Sequence, residues 1–137
     1  MTDFLLANWH WVALALASGG GLAWSFIRTA AVSLEPGLAV QIVERESGVF
    51  LDVRSSAEFN RGHIVRAINL PAEEIPKRVK EISRYKEKPV ITVCQSGMRA
   101  KQAVRKLAEL GFQKPAALSG GMTAWREAHL PLSAKKK

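Results

Sequence analysis

The stretch from Lys88 to Gly111 leaves this chain few ways to fold. Val90-Ile91-Thr92-Val93 is a short, apolar, β-branched run of the kind that makes a buried central strand. Arg99 to Leu110 then carries Ala100, Ala103, Val104, Leu107 and Ala108 at helical spacing, with charged side chains mostly on the other face. Gly111 follows where a helix ending in the left-handed region favours glycine. Between strand and helix lies the turn Cys94-Gln95-Ser96-Gly97-Met98-Arg99, which holds the only cysteine of the chain.

The position of that thiol carries chemistry. A strand-to-helix turn faces a helix N-terminus, whose unpaired N–H groups and dipole favour an anion, here a thiolate. Gly97 lets the loop curl so that its amides point inward as an anion-binding nest, and Arg99 adds positive charge. The alternative is a small buried hydrophobe, the usual state of a lone cysteine. The Ser/Gly/Arg turn favours the reactive reading.

One cysteine excludes an intrachain disulfide, and no paired Cys/His spacing suggests a zinc site. A net charge of +8 points to anionic partners, but the basic residues are scattered apart from the tail Lys135-Lys136-Lys137. A solvated basic surface is therefore expected, with no nucleic-acid partner.

Phe4 to Ile27 contains no Asp, Glu, Lys or Arg. As one helix it would reach about 36 Å, enough for a hydrocarbon core of about 30 Å. Trp9 and Trp11 near one end and Trp24 near the other fit an aromatic belt, and His10 fits the interface. A transmembrane helix over about 4–27 is expected, in contact with membrane lipid. Ala15-Leu16-Ala17 before Ser18 resembles a cleavage site, but no basic residue precedes the apolar run as a signal peptide requires. Ala15, Gly19 and Ala23, and likewise Ala17, Gly21 and Ser25, form small-residue ladders. Two readings stay open for them: a surface for a membrane-protein partner or homodimer, or simple filling of a lipid-facing span. All 20 Lys and Arg residues follow the segment, so the expected orientation puts the N-terminus outside and the C-terminal domain in the cytoplasm.

Beyond Ala31, short strands and helices alternate, which predicts a parallel sheet covered on both faces. Strands are expected at Val32-Ser33, 49–53, 67–70, 90–93 and 116–118. Helices are expected from Pro36 to about Arg45, with Leu38, Ile42 and Val43 inward, from Ala72 to Arg84 as an exposed basic helix, over 99–110, and from Met122 to Ala128. Ser55 or Ser56 caps a short turn holding Glu58 and Phe59. Asp52, Cys94 and Ser119 each fall where a strand ends, so they share the carboxyl rim of the sheet where sites form. Arg54 and Arg99 would make that rim electropositive, and Gly120-Gly121 would let backbone approach the Cys94 loop. Asp52 and Arg54 read as a structural ion pair, Glu58 and His63 as loop-fixing hydrogen-bonders, and Trp125 as core.

Three motifs now resemble a known family. Asp52-Val53-Arg54, Glu58-Phe59, Gly62-His63-Ile64 and Ala67 to Pro71 resemble the first signature of the rhodanese domain. Val93 to Ala100 resembles its active-site loop, and Leu118-Ser119-Gly120-Gly121-Met122 with Trp125 its closing motif. The similarity covers about residues 32 to 132, and the whole chain is similar to bacterial membrane-anchored single-domain rhodaneses. The resemblance implies an α/β, three-layer rhodanese-like fold with a parallel central sheet, preceded by one transmembrane helix. The implied organisation is an anchor over 1–31, a rhodanese-like domain over 32–132 and a basic tail over 133–137, at a bacterial inner membrane. Arg66 departs from the pattern, which usually has a small residue, often glycine, before Ala-Ile-Asn.

The resemblance further implies sulfur transfer. Cys94 would take sulfane sulfur from a donor such as thiosulfate and pass it to a thiol or cyanide, with no metal or organic cofactor. The loop Gln95, Ser96, Gly97, Met98 and Arg99 would hold the persulfide and the donor, supported by Asp52, Arg54, Glu58, His63, Gly120 and Gly121. A cysteine phosphatase is a rival, but such loops have five residues between Cys and Arg. Here four intervene, a narrower nest that favours sulfur over tetrahedral phosphate. A second rival is a membrane-tethered docking module that uses the fold without essential catalysis.

Overall fold

The structure is a computed structural model describing residues 2–29 and 31–134, without the side chains of 22–29. It divides into two compact units, Met1–Ala30 and Ala31–Lys137.

In the first unit, α1 (Thr2–Ala7) and α2 (Trp9–Thr29) are separate helices. This corrects the expected single span. At the break, the Asn8 side-chain amide donates to the Phe4 carbonyl at 2.9 Å and competes with the Asn8 backbone N–H for it. Asn8, His10, Ser18 and the run Gly19-Gly20-Gly21 also dilute the apolar character. Among the described residues no helix is long and apolar enough to cross a membrane. Trp24, the ladder residues Ala23 and Ser25, the flanking Arg28 and the tail from Lys135 lie outside the described side chains.

The second unit is built on a five-stranded parallel sheet. Its strands are β1 (Ser33–Leu34), β2 (Val49–Asp52), β4 (Ile68–Asn69), β5 (Pro89–Val93) and β6 (Lys114–Leu118), in the order β1-β6-β5-β2-β4. A separate antiparallel ribbon joins β3 (His63–Ile64) to β7 (Leu132–Ser133). The helices are α3 (Pro36–Glu46), α4 (Ser56–Arg61), α5 (Ile75–Arg78), α6 (Met98–Glu109) and α7 (Gly121–Glu127).

Side chains alternate across a strand, so each buried strand feeds two cores. Leu51, Val90 and Ala117 face one cluster with Ala100, Ala103, Val104 and Leu107 of α6. Phe50, Ile91, Val93, Ala116 and Leu118 face the other, with Ala39 of α3 and Met122 and Trp125 of α7. Trp125 is core, as expected: its ring packs edge-on against Phe50 with centroids 5.3 Å apart, and its N–H donates to the Pro131 carbonyl.

Two helical expectations are corrected. Leu38 is about half exposed, and Ala39 is the buried residue of α3. The expected helix over 72–84 is instead a 3-10 turn, the four-residue α5, and a second 3-10 stretch over Val79–Tyr85. Pro76 cannot donate a helical hydrogen bond, so it sits in the first turn of α5 and the helix cannot run through it. Nor is the segment simply exposed, since Ile75 and Ile82 are fully buried. Arg66 has φ 68°, in a turn closed by the Ala67 N–H donating to the Ile64 carbonyl. A left-handed residue at this place of a turn is normally glycine, which is the physical reason the usual pattern has glycine where this chain has Arg66.

Candidate active site

Strand register places the thiol. Val90, Thr92 and Cys94 follow at two-residue intervals, so Cys94 falls on the α6 side of the sheet, immediately after β5. Thr92, fully buried, ties that face to the helix by donating to the Ala100 carbonyl at 2.8 Å. The Cys94 sulfur receives the Gly97 N–H at 2.9 Å and the Ala100 N–H at 3.4 Å. It therefore does for α6 what a capping oxygen does at other helices, accepting donors that the first turn leaves unpaired. Gly97 makes this possible with φ 104° as the residue before the helix.

A second helix start meets the same loop. The Met122 N–H donates to the Cys94 carbonyl at 2.8 Å, and the Thr123 N–H to the Gln95 carbonyl at 3.3 Å. The Thr123 hydroxyl adds a bond to the Gln95 carbonyl at 3.2 Å. This approach requires Gly121: a Cβ there would overlap the Cys94 carbonyl oxygen and lie 2.8 Å from the Gln95 carbonyl. Gly120 and Gly121 also take φ of 71° and 56°. The expected glycine-permitted approach is thus present, from the N-terminus of α7.

Asp52 and Arg54 are both buried and form a forked pair, Arg54 Nη2 donating to Asp52 Oδ2 at 2.7 Å. Arg54 also donates to the Gly62 carbonyl at 2.8 Å, fixing the loop after α4. Their structural role is as expected, but the electropositive contribution of Arg54 to the rim is not. It is buried and matched by Asp52.

Arg99 behaves differently. It is exposed, and its guanidinium forks onto Glu58 at 3.2 and 3.1 Å, joining the Cys94 loop to α4. Ser55, not Ser56, caps α4 by accepting the Glu58 N–H. Hydrogen bonding from Arg99, with its charge and the Ser55 bonds, holds the Glu58 carboxyl below its ordinary value; partial desolvation opposes this. The same pair raises Arg99. A lowered folded value means the pair stabilises at neutral pH and is lost only as pH falls through that value. His63 stacks on Phe59 with centroids 3.7 Å apart, and its Nδ1 lies 2.8 Å from the Phe59 carbonyl. That is a loop-fixing contact.

The backbone N–H of Ala100 and the side chains of Thr92 and Thr123 escaped the sequence reading as parts of the site. Thr92 had a usable signal, since a hydroxyl inside a β-branched core strand two residues before the cysteine shares its face.

The profile of the Rhodanese-like domain matches residues 35–128. This chain belongs to the rhodanese-like family. The Escherichia coli K12 protein YibN is 36% identical over 97 residues, 70% of this chain and 68% of its own. The Shewanella oneidensis thiosulfate sulfurtransferase GlpE is 34% identical over 90 residues, 66% of this chain and 87% of that one. Among solved structures, a rhodanese-related protein from Thermoplasma volcanium superposes with a TM-score of 0.67 at 26% identity, covering 76% of this chain and 99% of that one. The α/β fold with a parallel central sheet is that of rhodanese-like sulfurtransferases.

The loop geometry sets an expectation for two glycines. Gly121→Ala should cost about 2–4 kcal/mol, from the left-handed backbone and the clash with the Cys94 loop. Gly37→Ala, where a Cβ meets nothing within 4 Å, should leave stability unchanged or raise it by up to about 1 kcal/mol. Urea unfolding of both variants checks this; equal effects would contradict the role given to Gly121.

Proposed function

We propose that this protein is a sulfurtransferase that carries sulfane sulfur on Cys94, attached to a membrane by its N-terminal segment. The observation that carries the catalytic reading is the sulfur of Cys94 lying on the N–H groups of Gly97 and Ala100. Relatives in the same family are named thiosulfate sulfurtransferase and sulfurtransferase.

The Cys94 thiolate attacks the outer sulfur of thiosulfate. A new S–S bond forms, the donor's S–S bond breaks, and sulfite leaves with the electron pair. The negative charge on the persulfide is met by the loop amides, which are oriented before the reaction. An acceptor thiolate or cyanide then attacks the terminal sulfur, giving an acceptor persulfide or thiocyanate and restoring the Cys94 thiolate. In this reading Gln95, Ser96 and Met98 form the exposed mouth of the loop. Arg99 draws the anionic donor, with Glu58 moderating its charge. Asp52, Arg54, Glu58, His63, Gly120 and Gly121 act by holding the loop and its neighbours in place.

For the N-terminal segment, the support is the charge-free run from Phe4 to Ile27 and the exposure of Phe4, Leu6, Trp9 and Leu16, each more than half exposed. The basic residues that follow put the domain on the cytoplasmic side of a bacterial inner membrane in this reading.

Thiocyanate formation from thiosulfate and cyanide is the direct test. The full chain should turn over and Cys94→Ser should be inactive. If a folded Cys94→Ser protein keeps the wild-type rate, the persulfide reading fails; if the wild type itself is inactive, the docking-module reading takes its place. For the anchor, the full chain expressed in a bacterium should sediment with membranes and resist alkaline carbonate, and recovery in the soluble fraction would refute attachment.

A further inference from the structure

At the end of the sheet away from Cys94, a cleft of about 850 Å³ opens in the same domain. Val49, the first residue of β2, and Lys88, immediately before β5, line it. The five residues of β5 therefore stand between Lys88 and Cys94, about 20 Å along the strand. Its apolar lining comes from half-buried Val40, Val43 and Leu130 and exposed Val65, backed by the core residues Phe50, Ile64 and Trp125. The volume lies in the range of sites that enclose small organic ligands.

The mouth is cationic. Arg66, Arg84 and Lys88 line it, against the single carboxylate of Glu44. The Arg84 guanidinium lies 4.9 Å and the Lys88 ammonium 6.0 Å from the centroid of the Tyr85 ring, so one aromatic side chain of the cleft holds both cations near it. Among the described residues none of the three cations forms an ion pair. Arg66 reaches this mouth from a backbone conformation in which glycine would be relaxed. Strain kept at a charged residue, in a cleft lined by two further cations and by apolar side chains, asks for an anion that also has an apolar body.

We propose that this cleft binds an anionic phospholipid, its phosphate on Arg66, Arg84 and Lys88 and the start of its acyl chains over Val40, Val43 and Leu130. Charge complementarity selects the phosphate, and the apolar lining selects a ligand with hydrocarbon attached. Free phosphate would leave the apolar side chains of Val40, Val43, Val65 and Leu130 in water. The site goes beyond sulfur transfer, and neither the persulfide nor membrane attachment is needed for a monomeric lipid to fill it.

Tyr85 is the only tyrosine of the chain, so tyrosine labelling yields a one-residue reporter inside the cleft. The full chain, ¹³C-labelled at tyrosine and held in phosphatidylcholine nanodiscs, is titrated with dihexanoylphosphatidic acid below its micelle concentration. The Tyr85 ring resonances should shift and saturate. Dihexanoylphosphatidylcholine should leave them unmoved, and inorganic phosphate should bind at least about tenfold more weakly. Arg66→Gly and Lys88→Gln should each weaken the lipid about tenfold, the loss expected of one charge-assisted contact. Arg66→Gly relieves a strained backbone, so it should unfold at no lower urea concentration than wild type, and loss of binding cannot be ascribed to misfolding. Thiocyanate formation should be unchanged in both variants. No saturable shift, an equal response to the neutral lipid, binding of phosphate as tight as of lipid, or full affinity in both variants would each overturn the proposal.

Discussion

The two-residue repeat of β5 is the constraint on which the site depends. Because Val90, Thr92 and Cys94 share a face, the strand that fills the α6-side core also delivers its sulfur beneath the first turn of α6. A slip of one residue would exchange the two cores and turn the thiol toward α7. Core packing and placement of the thiol are therefore the same structural fact. Replacing Thr92 by a larger apolar residue would disturb both, since its hydroxyl bridges the strand to the Ala100 carbonyl.

Two helix N-termini meet at the Cys94 loop in complementary ways. α6 offers N–H groups to the sulfur, and α7 offers N–H groups to the carbonyls of Cys94 and Gln95. The first leaves donors aimed at the sulfur, while the second fixes the loop so that they stay aimed. Gly97 and Gly121 are the residues without which neither approach is possible: one takes a left-handed backbone, the other admits a carbonyl where a Cβ would stand. Charge is divided in the same spirit. Arg54 is buried to organise a loop, whereas Arg99 stays at the surface with Glu58.

Much of this was readable in the sequence, because short apolar strands, a glycine after a helix and a cysteine on a turn have local causes. The parallel sheet, the shared rim of Asp52 and Cys94, the core position of Trp125 and the glycine approach all followed from such signals. Part of what escaped depended on partners distant in sequence. Nothing near Glu58 announces Arg99, forty-one positions away. The β3–β7 ribbon pairs two-residue strands too short to carry a period. The exposed basic helix expected over 72–84 is absent because Pro76 stops a continuous helix and Ile75 and Ile82 are drawn into the core. The N-terminal span was read from hydropathy, to which one Asn8 side chain counts for little, although its bond to Phe4 marks the break.

Mass measurement of the intact chain after exposure to thiosulfate reaches the central claim most directly. Wild-type protein should gain one sulfur atom, Cys94→Ser none, and cyanide should return the wild type to its starting mass. A wild-type chain that gains no sulfur from thiosulfate or any other sulfane donor, or a Cys94→Ser chain that gains it equally, would contradict sulfur carriage on Cys94.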